Sequence, residues 1–167
     1  MELSRKDHVL TDAGTYFASY THACDVQKLS ALLYLFDLEH FRQTGPPATA
    51  AKYIARRDGP FIPGLQELLS EQDARAASFL RIDSDAGLGR PLVKSLRQFS
   101  SLDMTPRHLS ILTELANAHA DSFAEEIVAQ ALRTAPAYQT LLVGPGEQMV
   151  SFPFVASDPT RYATMVA

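Results

Sequence analysis

The strongest constraint is a run in which Val26, Leu29, Leu33, Phe36 and His40 recur at steps of 3, 4, 3 and 4. At 3.6 residues per turn, that spacing places all five on one face of an α-helix. Ala31, Leu32 and Leu35 widen the apolar surface beyond one stripe, so the helix is expected at the centre of the fold. The helix follows Asp25. Thr44-Gly45-Pro46-Pro47 stops it, since glycine closes a helix and proline cannot continue one. The longest apolar stretch, Leu32-Leu33-Tyr34-Leu35-Phe36, falls far short of the ~20 residues that cross a bilayer. Asp37 and Glu39 follow it, as in a helix of a soluble domain.

Other elements are arranged around that helix. Val9, Ala13, Tyr16, Phe17 and Tyr20 predict a first helix from about Thr11 to Thr21, with Asp12 as its cap. Ala51 to Arg56 reads as a short strand that Asp58-Gly59-Pro60 ends with a turn. Pro63 to Leu69 reads as a short helix. Phe79–Ile82 and Leu92–Leu96 flank a Gly- and Asp-containing loop and predict a hairpin. Thr105-Pro106 opens a helix whose buried face is Leu109, Leu112, Leu115, Ala116 and His119. Asp121 or Ser122 should cap a last helix, with Phe123, Ile127, Val128, Ala131 and Leu132 packing inward. The expected class is mainly α with a small β element (α+β). One compact helical domain with a short hairpin or small antiparallel sheet would span 1–143. An irregular tail, 144–167, would carry a strand near Met149–Val155.

A chain of 167 residues suits one domain. Its formal net charge of −4 argues against direct nucleic-acid binding. Met1 to Asp7 is polar and carries acids, unlike a signal peptide. One cysteine, Cys24, excludes an internal disulfide and a cysteine-rich zinc site. The expected compartment is therefore cytoplasmic, without membrane contact.

Catalytic patterns are sparse. The five histidines form no His-x-x-x-His or His-Glu-x-x-His helix, so no zincin-type site is expected. His40 and His119 sit on apolar helix faces and read as structural. Cys24 lies two residues after His22 but carries no nucleophile signature, and it reads as a small packed hydrophobe. Gly87-Leu88-Gly89 and Gly144-Pro145-Gly146 lack the rest of a phosphate-binding loop. Asp37/Glu39 and Glu125/Glu126 are not placed as catalytic dyads. The expectation is a protein that is not an enzyme and uses no cofactor or metal.

Charge is unevenly spread. Arg42, Lys52, Arg56 and Arg57 fall in a stretch without an acid, and Arg90, Lys94 and Arg97 form a second basic run. Between Phe99 and Leu132 the acids Asp103, Glu114, Asp121, Glu125 and Glu126 face one Arg107. Such a bipolar surface suits a basic patch presented to an acidic partner.

One stretch is more specific. Gln27-Lys28-Leu29, then Leu32-Leu33-Tyr34-Leu35-Phe36 and His40, leads to Thr44-Gly45-Pro46-Pro47, to Lys52-Tyr53-Ile54-Ala55, and to Gly59-Pro60-Phe61-Ile62-Pro63-Gly64-Leu65. This order resembles the Panacea domain of SocA-like antitoxins and GepA-like phage-associated proteins. The likeness covers about residues 10–142, and the Gly59-Pro60 turn is its most specific element. Lys28, Leu29, Leu33, Tyr34, Phe36, His40, Gly45, Gly59 and Pro60 are its structural motif. The segment Ala131 to Tyr138 departs from it, having no histidine and Tyr138 where the family carries tryptophan. The resemblance implies an antitoxin that binds a cognate toxin protein directly. Its alternative is an adaptor that hands a partner to a cytoplasmic ATP-dependent protease through an unfoldase such as ClpX, or a phage-associated regulatory module. Candidate partner-binding residues are Arg42, Lys52, Tyr53, Arg56, Arg57, Asp58, Lys94 and Arg97.

Overall fold

The computed structural model describes residues 4–49, 51–56, 58–70, 79–84, 89–134 and 148–149. Helices α1 (Arg5–Tyr20) and α2 (Val26–Thr44) lead to the strands β1 (Ile54–Arg56) and β2 (Gly59–Phe61). The short helix α3 (Leu65–Ser70) precedes the hairpin β3 (Leu80–Asp83) and β4 (Leu92–Ser95). Helices α4 (Pro106–His119) and α5 (Ala124–Leu132) follow, and β5 is Gln148–Met149. The class is α+β: packed helices with two small antiparallel sheets, one ordered β2-β1-β5 and the other β3-β4.

Helix α2 is the axis of the fold. It packs against α1, α4, α5 and β2. Leu29, Leu32, Tyr34 and Phe36 are fully buried and Leu33 nearly so, as the wide apolar surface requires. Asp25 caps it through its carboxylate, which accepts the Lys28 N–H at 2.7 Å. Gly45 ends it at φ +98°, in the left-handed region that glycine tolerates best. Tyr34 Oη is hydrogen-bonded to Thr134 Oγ1 at 2.7 Å, which ties α2 to the end of α5. Among the described residues no helix is long and apolar enough to cross a membrane.

Several boundaries differ from the sequence expectation. Helix α1 starts six residues before Thr11, at Arg5, because Ser4 and Asp7 form a capping box. Asp12 is therefore no cap. It lies mid-helix, buried, in an ion pair with Arg97 beyond the end of β4. The strand expected over Ala51–Arg56 is confined to Ile54–Arg56, and Gly59-Pro60 begins the partner strand instead of a turn. Ile54 pairs with Phe61, Ala55 with Pro60 and Arg56 with Gly59. Proline is tolerated there because β2 is an edge strand.

Neither Asp121 nor Ser122 caps α5. Phe123 holds that position, and the Glu126 carboxylate accepts its N–H at 3.1 Å. Phe123 is 55% exposed rather than packed inward, since a cap residue sits outside the helical register. The β3–β4 hairpin and the Thr105-Pro106 helix start are where the sequence placed them. Within the tail, Gln148 and Met149 pair with Ala55 and Ile54. The rest of the strand expected through Val155, Arg57, and the Gly87-Leu88 and Gly144–Gly146 loop candidates lie outside the described residues.

Candidate functional site

Helices α2 and α5 pack against each other and against β2. Lys28 is fully buried where they meet. Its ammonium donates to the carbonyls of His22 at 2.7 Å and Ser122 at 2.6 Å. Burial holds this amine below the usual lysine range, and nearby Cys24 and Asp25 oppose that shift. A buried ammonium is tolerable when its hydrogen bonds are made, and here it clamps the segments leading into both helices. Arg90 adds a surface bridge, reaching Asp25 Oδ2 at 2.8 Å and Glu125 Oε1 at 3.3 Å.

Gly59 explains why the hairpin sits so close to α5. Its φ is +118°, and a Cβ built on it would lie 2.9 Å from Val128 Cγ2. Both the backbone conformation and the space therefore require glycine. Gln27 Nε2 donates to the Asp58 carbonyl at 2.6 Å and fixes the turn against α2. Gly59→Ala is expected to cost roughly 1–3 kcal/mol for the backbone conformation, with the Val128 clash added. Pairing it with Val128→Ala should recover the clash but not the conformational part. A double-mutant cycle by urea denaturation measures both, and full recovery would show that φ carries no strain.

Beside this junction lies a cleft of about 330 Å³. Gln27 and Ser30 of α2, Arg56, Gly59-Pro60-Phe61, Ile82 and Arg90 line it. The Arg56 guanidinium stacks over the Phe61 ring at 4.0 Å. Ser30 Oγ is buried and has no hydrogen-bond partner among the described residues. An unsatisfied buried hydroxyl costs about 1–3 kcal/mol. The cleft thus combines the Ser30 hydroxyl, apolar surface from Pro60, Phe61 and Ile82, and charged groups of both signs, Arg56 and Arg90 with Asp25 and Asp58.

The candidate residues from the sequence fall in different places. Arg56, Asp58, Gly59 and Pro60 line the cleft. Lys52 is exposed. Arg42 is paired with Glu39 at 3.1 Å, and Lys94 with Asp83 at 2.7 Å. Arg97 is paired with Asp12 and stacks on Phe79 at 3.8 Å. These acids neutralise much of the basic runs locally. Tyr53 is corrected from a surface contact to a core residue: it is 1% exposed, and its hydroxyl donates to Asp37 Oδ2 at 2.7 Å.

Asp37 is the functional-looking residue that sequence reasoning passed over. It is fully buried rather than solvated, and it accepts from Thr49 N–H at 2.7 Å, from Thr49 Oγ1 and from Tyr53 Oη. Burial pushes its carboxyl above the usual range, while the Thr49 and Tyr53 bonds pull it back. The signal was available in the register, since Asp37 follows Phe36 and lies one turn after Leu33 on a helix buried all round. Its role here is to lock the segment after Gly45-Pro46-Pro47 onto α2.

Cys24 is buried, and burial pushes its thiol up to about 12. A thiolate nucleophile is therefore not available there at neutral pH. Among the described residues no group of three or more His, Cys, Asp or Glu side chains is placed to hold a metal ion. Comparisons with known protein families, with curated proteins and with solved structures find no match for this chain.

Proposed function

We propose that the protein is an antitoxin-type binding module that neutralises a partner toxin by stoichiometric contact, and that the cleft beside Gly59-Pro60 receives the partner. The observation that carries this reading is the cleft itself. It is lined by the Gly59-Pro60 step on which the Panacea resemblance rests most, and by Ser30, whose hydroxyl has no hydrogen-bond partner among the described residues. Gln27, from the same motif, braces that turn. The ionisable groups buried nearby, Lys28 and Asp25, are engaged in holding the fold, which suits recognition better than turnover.

The first test is co-expression with the product of the adjacent gene. That product should be toxic alone, harmless in the presence of this protein, and should co-purify with it. A harmless neighbour that does not bind defeats the proposal. Ser30→Ala then tests the cleft. Removing an unsatisfied hydroxyl should leave the free protein as stable as before or more so. Losing the anchor should weaken the complex about tenfold, a change of about 1.4 kcal/mol. Unchanged affinity in titration calorimetry would place the contact elsewhere on the surface.

A further inference from the structure

His40, near the C-terminal end of α2, and His108, in the first turn of α4, face each other with their Nε2 atoms 3.1 Å apart. Both rings are largely shielded from water. The outer nitrogens are already engaged. His108 Nδ1 accepts the Thr105 N–H at 3.2 Å, and Thr105 Oγ1 accepts the His108 N–H at 3.2 Å, which together form the capping box of α4. A ring nitrogen that accepts carries no proton, so neutral His108 is protonated on Nε2. That N–H is aimed at His40 Nε2, which accepts it. The proton of His40 is then on Nδ1, where it donates to the Pro46 carbonyl at 2.9 Å. The result is a one-way chain from the Thr105 amide through both rings to Pro46.

We propose that this histidine pair is an acid-released latch: a single added proton, wherever it enters, breaks the bond from the Thr105 N–H to His108 Nδ1, one of the two that cap α4, and loosens the first turn of that helix. The reason is topological. A proton arriving at His108 can enter only at Nδ1, which ends acceptance from Thr105. A proton arriving at His40 can enter only at Nε2, so His108 must give up its Nε2–H and carry its proton on Nδ1 instead. Both routes end with a proton on His108 Nδ1 and break the same capping bond.

A shared metal is the rival occupant of such a pair. Two imidazoles on one zinc, each about 2.0–2.1 Å from it, would sit at a similar separation. Ligation through His108 Nε2 would, however, require the proton on Nδ1, against the Thr105 N–H. The hydrogen-bond pattern therefore favours a proton between the rings.

The surroundings resist charging of the pair. The Phe36 ring meets the His108 ring edge-on at 5.9 Å between centroids. Arg5 of α1 opposes a positive His108. Asp37, on α2 itself, is the acid whose charge couples to His40. Glu39 and Arg42 are engaged with each other on the outer side of α2. Arg107, in the first turn of α4, donates to Gln43 Oε1 on α2 at 2.7 Å. Burial, then the neighbouring His40 and Arg5, push His108 down to about 4. An unfolded histidine titrates near 6.5, so the unfolded chain takes the proton first. The stabilisation is complete above that pH and is lost as pH falls towards about 4. Asp37 is shifted upward and titrates with the opposite effect on stability, so the latch is isolated by comparing variants.

The test is nuclear magnetic resonance on the full ¹⁵N-labelled chain. At neutral pH, His40 should show the Nδ1–H tautomer and His108 the Nε2–H tautomer. The reverse assignment overturns the proposal. On acidification the Thr105 amide should move with the two rings, and amide exchange at His108 and Leu109 should rise at least tenfold above its intrinsic change, before global unfolding. His108→Gln keeps a side-chain acceptor for Thr105 but cannot titrate, so its Thr105 amide should stay flat over the same range. A Thr105 inflection that persists in His108→Gln overturns the latch. If that variant does not fold, the wild-type titration decides: a Thr105 amide that ignores the ring titration, or changes only with global unfolding, is equally fatal.

Discussion

Phe36→Ala is expected to lower the free energy of unfolding by about 3–5 kcal/mol. The phenyl ring is completely buried on the central helix and packs edge-on against His108. Its removal deletes transferred apolar surface and leaves a void that rigid neighbours on several elements cannot fill. Domains of this kind hold only about 5–15 kcal/mol in total, so the variant should be partly unfolded at 37 °C. Urea denaturation followed by circular dichroism should show a lower midpoint with an unchanged slope, as expected when stability alone changes. A loss below about 1 kcal/mol would mean that α2 is not the packing centre.

Asp37→Ala should cost about 3 kcal/mol or more, although it removes a buried charge. The variant leaves the Thr49 N–H, the Thr49 hydroxyl and the Tyr53 hydroxyl without their acceptor. Each unsatisfied buried group costs about 1–3 kcal/mol. Asp37→Asn should be milder, at about 1–2 kcal/mol, because its carbonyl still accepts one bond and the hydroxyls can rotate to accept from its amide. The pH dependence carries a further sign. Burial raises the Asp37 carboxyl above its unfolded value, so its ionised form opposes stability at neutral pH and that opposition fades as pH falls through the folded value. Asp37→Asn should remove this contribution. Should Asp37→Asn prove more damaging than Asp37→Ala, charge on the carboxylate and not its acceptor count would be what the network needs.

Local chemistry determined much of this protein. The 3-4-3-4 spacing placed α2 and its buried face, and Thr44-Gly45-Pro46-Pro47 marked its end, because periodicity and helix-stopping residues act within a few residues along the chain. The same is true of Thr105-Pro106 at the start of α4 and of the β3–β4 hairpin. Tertiary structure decided the roles of the charged and ionisable side chains. Asp12 was read as a cap because Arg97, which neutralises it, is distant in sequence and reaches it across the fold. Asp37 was read only as no part of a catalytic dyad and Lys28 only as part of a motif, because what makes a buried charge tolerable is supplied by donors and carbonyls from other segments. Val128, which makes glycine obligatory at position 59, belongs to a helix that follows far later in the chain. The His40–His108 pair likewise exists only once α4 lies on α2. Periodicity records which face is buried, whereas partnership between polar groups depends on which segments meet, and that is decided by packing.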